Sequence, residues 1–512
     1  LPEIRDCLEV VDFNSIYYTE PDVQWELLIY LVKKHHKANP MEYLCDKYGL
    51  AVERDIVNEV TGEVNKRCLF DFEFLSKVLE EELGDRELTY NEMLDIITII
   101  VYRSRYGFGV VDTLRGLDVD GFNFGTSGSV RYVIDGTYNV PYRTTNSVWV
   151  QLRAKWIHFS FLDFKKEEEM KRVVNQLVAW GTTAPMTEKS PYKVNDAFDG
   201  ARVTAIRPPA GECWACFVRK FSSGLYVKEK LLNKPRIKNW ELPSTLMYYL
   251  MRGEQTTAFT GQQNTGKTSM MKAAMADVAM VNIRILEMSF ELALREIYPW
   301  KNVLTVKPTD YVTSSQLQDL LKKTDGYLSM VGEVAEDIVA ARMIQFCLIA
   351  SAFTIFSHHA KTDEDLINGL TNSLVACGEY NSHDVAMSTV LDAIKNNVHL
   401  DFVKGERVIA YISEIEKLNE IMPYPELNKS GTVQEAIDQL AALQREFYTR
   451  TTDRVRFTSR RIIEFNPDTM TYEAKEGYTP EALRRICSKL KGEDRKNFIA
   501  WYRENWAHTL VA

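Results

Sequence analysis

Ala258-Phe-Thr-Gly-Gln-Gln-Asn-Thr-Gly-Lys-Thr-Ser269 carries the pattern Gly-x-x-x-x-Gly-Lys-Thr from Gly261 to Thr268. Each fixed position has a physical task. Gly261 and Gly266 let the backbone curl until several N–H groups point at one anion. Lys267 reaches terminal phosphates, and Thr268 offers a hydroxyl to Mg²⁺. A helix starting here turns its positive end toward the same anion. The loop Gly261, Gln262, Gln263, Asn264, Thr265, Gly266, Lys267, Thr268 and Ser269 is therefore the expected site for a nucleoside triphosphate, with ATP and Mg²⁺ as cofactors.

Such a loop belongs between a strand and a helix. Gln255–Thr260 reads as a short strand, and Ser269–Asp277 is rich in helix formers. Downstream the chain alternates. Val281–Glu287, Val303–Val306, Gly326–Val331 and Ala352–Phe356 read as strands, Ser314–Lys323 as a helix, and residues 407–416 as a closing strand. The run Met343–Phe356 reads as the end of a buried helix turning into a buried strand. This is an α/β pattern that implies a mostly parallel sheet with helices on both faces. Ligands of such sheets sit at the carboxyl ends of the strands.

Glu287, Glu291, Glu333 and His359 all fall at or just beyond such ends. Glu333 is expected to hold Mg²⁺ through water, together with Thr268. Glu287 and Glu291 are candidates for positioning the attacking water. His359 could sense the terminal phosphate or hydrogen-bond to the glutamate opposite.

Upstream, residues 1–105 read as helical, with candidates at Trp25–Lys34, Phe72–Glu82 and Asn91–Arg103. Residues 106–235 read as a separate α/β domain. It contains a strand and turn at Val130–Gly136, a helix at Lys165–Ala179, and strands that carry Arg202 and Arg219. Residues 236–418 form the phosphate-loop domain. Residues 419–512 read as an extension with a helix from Thr432, a hairpin at Arg461–Tyr472 and terminal helices from Pro480 to Trp506.

The 512-residue chain is 45% hydrophobic and 26% charged, ordinary values for a soluble protein with several cores. A net charge of −9 argues against wholesale nucleic-acid binding. Of eight cysteines, the close pair is Cys213-Trp-Ala-Cys216, within a strand-like stretch and without a second such pair to complete a zinc site. Scattered thiols without a secretory signal suggest a cytoplasmic protein.

In order along the chain, these motifs resemble those of the traffic ATPases of bacterial type II and type IV secretion, most closely the branch serving tight-adherence pili. Leu286-Glu-Met-Ser-Phe-Glu-Leu292 resembles that branch's acidic box, with Met288 where an aspartate is usual. Gly332-Glu-Val-Ala335 resembles its Gly-Glu-Val-Arg element, and Phe356-Ser-His-His-Ala-Lys-Thr362 its histidine box, with His359 at the motif histidine. Thr187–Pro209 and Val218-Arg-Lys-Phe221 extend the likeness upstream, so that it spans about residues 110–418.

The resemblance implies an N-terminal α/β domain flexibly joined to a RecA-like ATPase domain, a homohexameric ring, and Arg202 and Arg219 closing onto the terminal phosphates. It implies a cytoplasmic ATPase at the inner face of the cell membrane. Such an ATPase would be held there by an inner-membrane platform protein and would drive pilus assembly or protein export. Nucleic acid is not an expected partner. The alternatives are a conjugative DNA-transfer ATPase or translocase, and a nucleotide switch that does not hydrolyse.

Overall fold

In the first sheet, the strands Val148–Leu152 and Arg202–Ile206 bury every second residue. The computed structural model describes residues 20–36, 39–57, 64–126, 147–153, 155–180, 185–221, 227–309, 311–418, 432–451 and 455–507. The strand and turn expected at Val130–Gly136 lie outside these. The chain forms two units, Leu1–Ser222 and Ser223–Ala512.

In the first unit the strands are β1 (Arg54–Val57), β2 (Val64–Phe70), β3 (Gly121–Phe124), β4 (Val148–Leu152), β5 (Lys155–Phe159), β6 (Tyr192–Asp196), β7 (Arg202–Ile206) and β8 (Ala215–Arg219). They form one sheet in the order β1-β2-β5-β4-β3-β8-β7-β6. Its pairs are antiparallel except β2 with β5. Val148, Val150, Phe122, Val203 and Val218 point to one face and are buried. Trp25, on the helix Pro21–His36, meets Phe70 and Phe159 edge-to-face at 6.1 and 5.4 Å. Cys216 faces this core, where burial pushes its thiol up, and Cys213 donates to the Gly125 carbonyl at 2.9 Å.

The three expected N-terminal helices form at Pro21–His36, Phe72–Leu83 and Tyr90–Arg105. Asp71 caps the second, and a Thr89–Glu92 capping box starts the third. The segment read as wholly helical nevertheless contributes β1 and β2. In Val64-Asn-Lys-Arg-Cys-Leu-Phe70 the first half is charged and the second continuously apolar, so no strand period shows.

In the second unit the strands are β9 (Thr257–Thr260), β10 (Ile283–Leu286), β11 (Val303–Val306), β12 (Leu328–Val331), β13 (Phe353–His358), β14 (Asn396–Val403), β15 (Glu406–Lys417), β16 (Phe457–Asn466) and β17 (Thr471–Ala474). The order is β11-β10-β12-β13-β9-β14-β15-β16-β17. The first six are parallel, and the last three are added antiparallel. All residues of β9, β10 and β12 are buried, because both faces are covered.

Successive side chains divide between two cores. Phe259, Ile285 and Met330 pack with the helices Glu241–Arg252, Lys267–Ala274 and Pro480–Lys489. Ala258, Leu286, Val331 and Phe356 pack with the helices Ser314–Leu321, Asp337–Gln345, Asp363–Ala376 and His383–Ala393. The helix Asp337–Gln345 ends in a wider π turn, Phe346–Ala350, and there Ile349 is 85% exposed. The apolar run ending at Phe356 is thus buried at Met343 and Ile344 but surfaces before β13. The C-terminal segment does more than extend the domain: β16 and β17 complete its sheet, and Trp506 is fully buried.

Candidate active site

Gly261 follows β9 with φ 141°, a backbone that favours glycine. A Cβ there would lie 2.2 Å from the Leu400 carbonyl oxygen of β14 and 2.8 Å from the Thr265 hydroxyl. Asn264 (φ 66°) and Gly266 (φ 96°) turn the chain back into the helix Lys267–Ala274. Thr265, fully buried, braces the loop by donating to the Gln262 carbonyl at 2.9 Å. Gln262, Gln263 and Asn264 are exposed at the tip, while Thr268 and Ser269 are half-buried on the first helical turn.

Lys267 is 7% exposed. It donates to the carbonyls of Gly261 at 2.9 Å and Gln262 at 2.8 Å. Its ammonium also lies 3.2 Å from Nδ1 of His359, and Nε2 of His359 lies 3.0 Å from Glu333 Oε1. An ammonium has only donors, so Nδ1 accepts and the ring proton sits on Nε2, donated to the carboxylate. Neighbouring strand ends make this chain possible, because β12, β13 and β9 are adjacent. The Ser357 hydroxyl donates to the Gly332 carbonyl at 2.6 Å, and the Val334 amide to the Ser357 carbonyl at 3.0 Å, fixing the two motifs together.

The structure gives the two acidic-box glutamates unequal positions. Glu287, at the end of β10, is 3% exposed. Its Oε1 accepts from the Leu292 amide at 2.8 Å, and its Oε2 is buried without a hydrogen-bond partner. Burial pushes its carboxyl up to about 8. Glu287 also packs against Gly332, where a Cβ would come within 2.9 Å of its Cγ. β10 is three strands from β9, roughly 14 Å at ordinary strand spacing. Glu291 is half-buried on the turn that Glu287 anchors. Lys272, on the phosphate-loop helix, is buried and feels both carboxylates.

Arg202 and Arg219 belong to the first unit. They are direct cross-strand partners on β7 and β8, with both guanidinium groups near the Phe221 ring, at 5.6 and 5.7 Å.

Other polar residues border the loop and were not among the sequence candidates. Arg407, after the β14–β15 turn, brings its Cδ within 3.5 Å of where a Cβ on Gly266 would lie. Thr260 donates to Asn397 at 2.9 Å, and Asn397 donates to Asp363 at 2.6 Å. Asn397 lies in the polar stretch Asn396-Asn-Val-His-Leu-Asp401, which carries no strand period to signal it.

The residues present fit a nucleotide polyphosphate and a divalent cation. The glycine cradle leaves no room for a side chain at Gly261, and the Lys267 ammonium is presented at its rim. Thr268 offers a hydroxyl, and Glu333 is a half-exposed carboxylate at the neighbouring strand end. A mostly parallel sheet with this loop after a central strand is the architecture of a RecA-like phosphate-loop core.

No family model matches the chain, and no curated protein matches it. Among solved structures it is similar to the VirB11 ATPase from the Brucella suis type IV secretion system in complex with sulphate. That likeness has 16% identity and a TM-score of 0.30 over 59% of this chain and 92% of that one. It is also similar to the Legionella pneumophila ATPase DotB, at 11% identity and TM-score 0.40 over 59% and 78%. The Yersinia pseudotuberculosis ATPase DotB matches at 9% identity and TM-score 0.41 over 77% and 93%.

Proposed function

We propose that the chain is an ATPase whose turnover drives pilus assembly or protein export. The observation that carries the hydrolytic part is the chain Lys267–His359–Glu333 across adjacent strand ends. In it the group that would meet the terminal phosphate is wired to the carboxylate that would order Mg²⁺ and water. With nucleotide bound, Lys267 exchanges the loop carbonyls for phosphate oxygens. His359 loses or reorients its hydrogen bond to Lys267 and passes that change to Glu333. Glu291 is the better placed of the acidic-box pair to orient water, and Glu287 shapes the turn that presents it. Arg202 and Arg219 bring positive charge late, which stabilises the transferring phosphoryl group.

The order of motifs along both units supports the secretion-ATPase setting: a homohexamer, cytoplasmic and peripheral to the membrane, docked on an inner-membrane platform protein. Among the described residues no helix is long and apolar enough to cross a membrane. Within that setting, Leu286–Leu292 and Phe356–Thr362 are the motifs that support the tight-adherence branch.

Phosphate release from ATP tests the enzyme reading. Wild type is expected to turn over, Lys267→Ala to lose both binding and turnover, and Glu333→Gln to bind without turnover. Wild-type release no greater than that of the two variants would leave a nucleotide switch instead. Stimulation by DNA would point to a translocase.

A further inference from the structure

A closed ring of polar and aromatic side chains, buried except at the half-exposed Arg461, lies beneath the phosphate loop and reaches the C-terminal hairpin. Thr260, the last residue of β9, donates its hydroxyl to Asn397 Oδ1 at 2.9 Å. Asn397 donates to Asp363 Oδ1 at 2.6 Å. The other oxygen of Asp363 accepts from Arg461 at 3.1 Å and from the Ser459 hydroxyl, both on β16. The Arg461 guanidinium stacks over Tyr411 at 3.3 Å from the ring centroid. Tyr411 stacks on His399 at 4.7 Å and 13°, and His399 Nδ1 returns to Thr260 at 2.8 Å.

The directions are fixed. The amide of Asn397 is committed to Asp363, so its oxygen must accept the Thr260 proton. His399 Nδ1 must then be the donor to Thr260. Thr260, Asn397, Asp363 and His399 are buried, where an unpaired polar group is costly. The strand register places the ring on one face: His399 stands opposite Thr260 and Tyr411, and Ser413 links Asn397 to Arg461.

Both ends of the histidine-box loop are thereby held. His359 is bonded to Lys267 and Glu333, and Asp363, four residues on, opens the helix Asp363–Ala376 and is locked to β14 and β16. A short loop pinned at both ends transmits displacement, because its slack is small.

We propose that Asp363 and Arg461 are positioning residues that set the geometry of His359, so that the C-terminal hairpin is part of the phosphate-sensing apparatus. This rests on the reading of the loop as a site of ATP hydrolysis, where Asp363 and Arg461 act through His359 and touch no substrate.

A double-mutant cycle reads the link. Asp363→Asn is expected to lower kcat about tenfold with KM for ATP changed less than twofold. In a His359→Ala background the same change should lower kcat less than twofold. Ser459→Ala, which keeps the ion pair, should show the same pattern more weakly and serves if Asp363→Asn does not fold. Losses that multiply with His359→Ala would overturn the proposal.

A second readout needs no turnover. Nitrogen-15 spectra of the histidine rings, with His359 assigned by its loss in His359→Ala, should show a single tautomer protonated on Nε2 in the wild type. A mixture is expected in Asp363→Asn or Ser459→Ala. Unchanged His359 shifts in both variants would overturn the proposal even in a chain that hydrolyses nothing. Wild-type turnover with unchanged shifts would sink it while the ATPase reading stands.

Discussion

Glu287 is buried to 3% exposure with one oxygen bonded and the other bare, a setting that favours the neutral acid. Its carboxyl is raised from 4.5 to about 8, chiefly by burial. Between those values the folded chain holds a proton that the unfolded chain releases. Its contribution is therefore fully present below about pH 4.5 and is lost as pH rises through about 8. Glu287→Gln keeps an acceptor for the Leu292 amide and cannot ionise. Urea midpoints of the variant and the wild type should converge near pH 5, and the variant should gain relative to wild type toward pH 9. One pKa unit corresponds to about 1.4 kcal/mol, so the relative gain should reach a few kcal/mol. Parallel pH profiles would mean that Glu287 is ionised in the folded protein. At this scale the sequence places Glu287 and Glu291 equally, each near a strand end. Only the packing separates them, since burial depends on Gly332 of another strand closing over Glu287.

The phosphate loop shows why some elements are legible and others are not. Its pattern is local, so the strand–loop–helix order is readable from residues 255–277 alone, and the apolar strands β10, β12 and β13 announce themselves by composition. β14 does not: Asn396-Asn-Val-His-Leu-Asp401 is polar, yet Asn396, Asn397 and His399 are buried because hydrogen bonds satisfy them. Hydrophobic period cannot find a strand stabilised that way. The C-terminal helices were visible, but not that Trp506 anchors them in the core, where its indole donates to the Glu476 carbonyl at 2.9 Å. Trp506→Ala should destabilise the second unit by about 3–5 kcal/mol, read from denaturant midpoints. Gly261→Ala should disrupt the loop instead, since the new Cβ would meet the Leu400 carbonyl at 2.2 Å. Fluorescent-ATP binding should fall at least tenfold while the unfolding midpoint moves far less than in Trp506→Ala. Retained nucleotide affinity would show that the loop tolerates a side chain at its first turn.

At the scale of the molecule, the phosphate loop, the candidates Glu287, Glu291 and Glu333, and His359 lie in one unit, and Arg202 and Arg219 in the other. Cross-strand placement of Arg202 and Arg219 sets two like charges together, a destabilising pairing on a sheet unless anions are near. Asp196 stands opposite Arg202 on β6 and offsets part of this. Phe221 takes up both guanidinium faces. If the arginines act on the transition state, they contribute to rate and little to ground-state affinity. The double variant Arg202→Ala/Arg219→Ala should bind a non-hydrolysable ATP analogue within about threefold of wild type. Its kcat should fall about a hundredfold or more, as when charge-stabilising donors are removed from other sites. Lys267→Ala should do the reverse in binding, losing the analogue outright. Equal loss of affinity and rate in the arginine variant would make them ground-state ligands. Intact turnover would remove them from the mechanism and leave hydrolysis to the loop's own unit, with the chain Lys267–His359–Glu333 sufficient for it.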